Sequence, residues 1–260
     1  MRALAFIFIF ASFVFSSEIS ATYDVKFGIF GKVGEAKTKL IKYENNATYE
    51  IYMDAKTTGL ANSLSGDRRE YFYSYGTIYK NYLIPKFYTQ ETRRNKKGKQ
   101  IISKKNYEFD EFGKKIKFVR YKGDDKSLEK TDEKILDYYS QNDLLTLFFN
   151  FSKIKTIHSH FALVVAGAKD KDGLIEIKIP QDKQKSRLQN ELDTKYQPYI
   201  VFINQKIFLS KRGELHLALD ENGYATKAIL KDVILFGDIV GELKELNFRW
   251  FLEFKQYIRN

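Results

Sequence analysis

The sequence predicts a mainly β protein: one large curved antiparallel sheet, an open or half barrel or a sandwich-like arrangement, with one or two short helices packed against it. Three observations predict it. Apolar and polar residues alternate over many short segments, the period of a half-buried strand. Short turns rich in Asn, Asp and Gly join these segments directly, which argues for antiparallel pairing over β-α-β units. Only one region carries helical spacing.

The alternation starts at Tyr23, Val25, Phe27 and Ile29, which are interleaved with Asp24, Lys26 and Gly28. Next comes the stretch GIFGKVGEAKT, whose glycines Gly28, Gly31 and Gly34 precede Lys37 and Thr38. A phosphate-binding loop places a second glycine five residues after the first, directly before Lys-Ser/Thr and a helix. Here Val33 stands at that position, and strand alternation resumes at Ala36, Thr38 and Leu40, so the glycines are read as the first bend of the sheet. Asn45 and Asn46 make the next turn, and Tyr49, Ile51 and Met53 then restart the alternation, followed by Tyr71, Tyr73 and Tyr75. Charged turns at RRNKKGKQ and DEFGKK separate three further strands.

The exception is TDEKILDYYSQNDLLTLFFNFSKI. Ile135, Leu136 and Tyr139, then Leu144, Leu145, Phe148 and Phe149, fall at helical spacing, so a helical insertion is expected at about residues 132–152. Ser140 and Asp143 resemble a capping box. Strands return at Phe161–Val165, Leu174–Ile179, Tyr199–Leu209, Glu214–Leu219, Tyr224–Asp232 and Ile239–Leu246, with DENG at Asp220–Gly223 as a hairpin turn. The charged stretch Gln181–Lys195 reads as a loop or an exposed helix.

The N terminus has the layout of a secretory leader: Arg2, an apolar run from Ala3 to Phe15, then small residues Ser16, Ser17, Ser20 and Ala21. Cleavage is expected after Ser16 or after Ala21, with an uncleaved anchor as the alternative. Residues 1–21 are thus assigned to a signal peptide, 22–246 to a single β-rich domain, and 247–260 to a basic, aromatic tail that adds a last strand or lies on a membrane surface. No later segment approaches the ~18 apolar residues of a spanning helix. The expected location is the periplasm of a Gram-negative bacterium. The net charge of +11 then points to acidic envelope components as partners and not to nucleic acid, although a gene of low GC content enriches Lys, Ile, Phe and Tyr by itself.

Chemistry is sparse. The chain has no Cys and three His, which excludes most zinc and iron–sulfur arrangements. His158 and His160 share one face of a strand with no acidic residue beside them in sequence, and His216 stands among leucines. No nucleophile motif occurs, and the paired acids Asp110–Glu111 and Asp124–Asp125 fall in turns. The expectation is a protein that is not an enzyme, with no catalytic residue, no metal and no cofactor. Asn46-Ala47-Thr48, with Glu44 ahead of it, is a glycosylation candidate at Asn46.

The opening YDVKFGIFGKVGEAKTKL, the segments YEIYMDAKTTGL and YLIPKFYTQETRRNKKGKQIISKKNYEFDEFGKKI, the apolar NDLLTLFFNF and the closing LALDENGYATKAILKDVILFGDIVGEL resemble the bacterial exported family catalogued as domain of unknown function 3108. The resemblance implies an exported antiparallel β protein and carries over no reaction and no catalytic residue. From the alternation, Phe27, Ile51, Tyr73, Phe118, Phe202 and Leu217 are expected to line a concave cavity, with Leu144, Leu145, Phe148 and Phe149 on a lid or plug helix. An aromatic cavity ringed by Lys and Arg fits a hydrophobic or lipid-like anionic ligand of the envelope. The alternative is a structural or assembly component of an envelope protein complex, acting through a strand edge or the tail.

Overall fold

Alternation of this kind needs strand partners on both sides, and the chain supplies them from its own neighbours. In the computed structural model, which describes residues 11–154, 156–168, 172–203, 210, 213–221, 223–233 and 237–256, the first half forms β1 (Ala11–Phe27), β2 (Gly31–Tyr43), β3 (Thr48–Thr57), β4 (Arg69–Tyr79), β5 (Tyr82–Lys96), β6 (Lys99–Asp110), β7 (Lys115–Gly123) and β8 (Leu128–Ile135). The second half forms β9 (His160–Val164), β10 (Leu174–Lys178), β11 (Pro198–Phe202), β12 (Glu214–Leu219), β13 (Ala225–Val233) and β14 (Gly237–Gln256). Among the described residues three short α-helices interrupt them: α1 (Leu60–Ser65), α2 (Leu144–Asn150) and α3 (Asp182–Glu191).

All fourteen strands belong to one sheet in the order β8-β7-β6-β5-β4-β3-β2-β1-β14-β13-β12-β11-β10-β9. Each half is a meander, and the two meanders join in the middle where β1 pairs antiparallel with β14. The outer strands β8 and β9 do not pair, so the sheet is not closed into a barrel. A twisted sheet of this width curls, because each strand is rotated relative to its neighbour. Curling brings the start of β13 against the first half: Tyr224 packs in the same apolar cluster as Tyr49, Ile51, Tyr107 and Phe118.

Two clusters fill the concave face. The first gathers inward residues of β1–β7, and the second Val165, Ile175, Ile177, Val201 and Leu217 of the other half. Helix α2 serves both, giving Leu145 and Phe149 to the first and Leu147 to the second. On the convex side α3 covers Ala218 and Ile229 with Leu192, which follows its last turn. The stretch Gln181–Lys195 thus holds an exposed helix, stitched to the sheet at one end.

The glycine-rich bend is as expected: Gly28–Phe30 form a single 3-10 turn, and Phe27 stacks on Phe30 with ring centroids 5.4 Å apart. Gly31 has φ 67° and ψ −135°, a conformation essentially reserved for glycine. The helical reading of the region around residue 132 is corrected. Leu128–Ile135 is strand β8, laid along Lys117–Gly123 of β7, and the helix begins only at Leu144. In LEKTDEKI nearly every residue is exposed, so no apolar alternation announces the strand. Its charges blunt a sheet edge that would otherwise recruit other strands. The tail from residue 247 is strand, the first of its two expected forms: it continues β14 to Gln256 opposite Ala11–Ser20 of β1. Positions 204–209 and 257–260, expected to continue strand and tail, lie outside the described residues.

Two glycines separate conformational strain from collision. A Cβ at Gly31 meets open space, whereas one at Gly76 would sit 1.9 Å from the Ile84 carbonyl oxygen across the β4–β5 bulge. In urea unfolding, Gly31→Ala should lose about 1–3 kcal/mol. Gly76→Ala should lose more than that, because backbone opposes the new methyl group.

Candidate binding site

Helix α2 is seven residues long, too short to persist without tertiary anchors, and its ends show where the anchors are. Asp143 occupies the N-cap. Its Oδ1 accepts the backbone N–H groups of Leu145 and Thr146, both at 2.8 Å, while the Asp143 N–H donates back to Thr146 Oγ1 at 2.8 Å. This is a reciprocal capping box one turn later than the Ser140–Asp143 pair read from the sequence. Ser140 instead bonds the Val164 and Asn142 carbonyls. The second carboxylate oxygen of Asp143 accepts the Ser74 hydroxyl of β4 at 2.6 Å, and Ser74 lies 3.2 Å from the Tyr49 hydroxyl of β3.

All of these groups are buried. Burial pushes the Asp143 carboxyl up to about 6, against the pull of its hydrogen bonds from Ser74, Thr146 and Leu145. Burial, and then the charge of Asp143, raises the Tyr49 and Tyr88 phenols well above their ordinary value. At the other end, Asn150 takes both backbone groups of Leu83, accepting its N–H at 3.0 Å and donating to its carbonyl at 2.8 Å. A seven-residue helix is thereby pinned at both ends by buried polar side chains.

Beyond Asn150 the chain makes one 3-10 turn, Phe151–Lys153, and reaches solvent beside the β4–β5 hairpin. The Tyr82 hydroxyl donates to the Lys153 carbonyl at 2.7 Å, and the Lys153 ammonium donates to the Asn81 carbonyl. Burial, and then the charge of Lys42, pushes that ammonium below the usual lysine range. Next to this rim an open groove of about 670 Å³ is lined by Ile154, Thr156, Ile157, His158, Ile179, Gln197 and Tyr199. Tyr199 packs edge-on against Phe151, with centroids 4.6 Å apart. On the inner side of α2, Phe149 meets Tyr224, also edge-on, with centroids 5.4 Å apart. The buried Tyr224 hydroxyl has no hydrogen-bond partner among the described residues. The arrangement offers an open groove of mixed polarity beside the two lysines and, on the inner side of α2, a buried hydroxyl with no partner among the described residues.

The six expected cavity residues divide. Ile51 and Phe118 lie in the first cluster and Leu217 in the second, while Phe27 closes the end of β1 against Phe30. Tyr73 and Phe202 stand on the opposite face, because Ser74 and Val201 take the inward positions. Tyr73 joins a convex aromatic row with Tyr52, Tyr75 and Phe87, and Phe202 lies under Lys178. Of the helix residues, Leu145 and Phe149 point into the core, Leu144 touches both clusters, and Phe148 is exposed. Asn46 is exposed at the end of a 3-10 turn, with its Oδ1 accepting the Thr48 hydroxyl at 2.6 Å. His160 is exposed, 3.5 Å from Glu176, and His216 is buried between Glu191 and Glu214. Among the described residues no group of His and acidic side chains is placed to hold a metal ion.

No family model matches the chain, and no curated protein does. Among solved structures it is similar to the β-barrel-like protein of domain of unknown function DUF1849 from Brucella abortus, at 12% identity and a TM-score of 0.43, over 89% of this chain and 98% of that one. That is a different domain of unknown function from the one read in the sequence. The resemblance to family 3108 is therefore withdrawn.

Asp143 gives a signed pH dependence. Its carboxyl binds a proton more tightly folded than unfolded, so stability falls as pH rises from about 4 to about 6, by an amount on the order of 3 kcal/mol. Asp143→Asn preserves the cap and should flatten this component in urea unfolding measured at both pH values. Asp143→Ala removes the cap and strands Ser74, and should cost about 2–4 kcal/mol at either pH.

Proposed function

We propose that the protein is exported to the periplasm and acts there without catalysis, binding a hydrophobic, anionic amphiphile between the concave face of the sheet and α2. The observation that carries this reading is the position of α2. Its apolar side chains fill the space between two sheet-lined clusters, as an acyl chain does in a binding protein, and only its ends are polar-anchored. Lys153 and Lys42 stand at the open end, and the weakened protonation of Lys153 marks a place where an anion would be stabilising. The Tyr224 hydroxyl supplies a donor whose burial without a partner is costly until something accepts from it. The leader-like N terminus supports export. A role as an assembly component of an envelope complex is the second reading, supported by the exposed aromatics Phe248 and Trp250 on β14.

The test is native mass spectrometry of the protein taken from its host's periplasm, with solvent extraction of what it carries. A lipid-like adduct is expected, and Lys153→Gln should lower its occupancy about tenfold or more while leaving the fold intact. A clean apo protein that instead co-purifies with an envelope complex overturns the carrier reading in favour of assembly. The same spectrum reports glycosylation, since modification at Asn46 adds mass that Asn46→Gln removes.

A further inference from the structure

The first and last strands meet through a ribbon that export would dismantle. Asn247–Gln256 of β14 pairs with Ser20–Ala11 of β1, whereas β13 reaches along β14 only to Glu242. The partner of the C-terminal half of β14 is thus the leader-like segment itself. Cleavage after Ala21 removes every residue opposite Leu246–Gln256, and cleavage after Ser16 removes those opposite Phe251–Gln256. What remains is a strand with open backbone edges and the exposed rings of Phe248, Trp250 and Phe251. Such an edge recruits another strand.

We propose that the strand it recruits is its own counterpart in a second copy of the chain, giving a two-fold symmetric dimer after processing. This rests on the reading of the N terminus as a cleaved leader. The segment NFRWFLEFKQ is complementary to itself when run antiparallel about Phe251. In that register Arg249 faces Glu253, Phe248 faces Phe254, Trp250 faces Leu252, and Phe251 faces the partner copy's equivalent residue. Both ion pairs form at once, since a two-fold interface repeats each contact. The large side chains meet in cross-strand pairs of the kind that stabilise sheets. Before processing, Arg249 faces Glu18 and Phe248 faces Ile19, so the leader occupies the edge with the same chemistry and holds the unprocessed chain as a monomer.

The experiment exports the full chain with its own leader, purifies it from the periplasm, and reads its N terminus by intact mass and its assembly by analytical ultracentrifugation. A processed dimer is expected. Arg249→Glu should weaken the dimer about tenfold or more by setting acids opposite Glu253, and adding Glu253→Arg should restore it. A processed chain that stays monomeric at tens of micromolar overturns the dimer alone, and so does one that is monomeric and binds anionic vesicles through the tail. A chain that keeps residues 1–21 overturns the dimer and the export reading together. A dimer indifferent to both substitutions overturns the proposed register.

Discussion

The fold depends on two buried anchors, the Asp143 carboxylate bridging a helix N-terminus to Ser74 of β4 and the Asn150 amide pairing with the backbone of Leu83. An open antiparallel sheet has a concave face and no second sheet to cover it. Two apolar clusters fill that face, and the seven residues of α2 join them. Helix propensity cannot hold so short a segment, and apolar packing alone would let it slide. The polar groups at its ends fix its position, and each is satisfied by a partner the sheet already presents. Removing one partner leaves the other buried and unpaired, which is why this pair of anchors matters more than any single apolar contact.

That arrangement ties architecture to the proposed activity. The side chains that α2 inserts are apolar along its length, and its polar anchors sit at its two ends. The raised Asp143 carboxyl gives the anchor a dependence on mildly acidic pH. In the proposed carrier, the lysines at the rim and the groove beyond Ile154 would receive the ligand head group.

Much of the fold was legible because period-two alternation is a local signal. Tyr49, Ile51 and Met53 announce β3, and the glycine-rich stretch GIFGKVG announces the bend, without reference to anything distant. Strand β8 was not legible, since an edge strand exposed on both faces has no apolar period to read. The sides of Tyr73 and Phe202 were misassigned for a related reason. When both alternating sets contain large apolar residues, sequence cannot say which faces inward, and Ser74 won its place only through Asp143, far away in the chain. The site followed the same rule. NDLLTLFF announces the helix and Lys153 follows it in sequence, but Tyr224 meets Phe149, and Lys42 comes near Lys153, only once the sheet is formed.

The proposed binding of a hydrophobic amphiphile between the concave face and α2 is tested most directly by native-state hydrogen exchange of the α2 amides against those of the surrounding ladder. The account predicts that Leu147–Asn150 exchange through a local opening, faster than Tyr88 and Tyr107 in β5 and β6, and that a lipid probe alters the α2 rates selectively. Exchange of α2 only through global unfolding, at the rate of the ladder and unchanged by lipid, would contradict it.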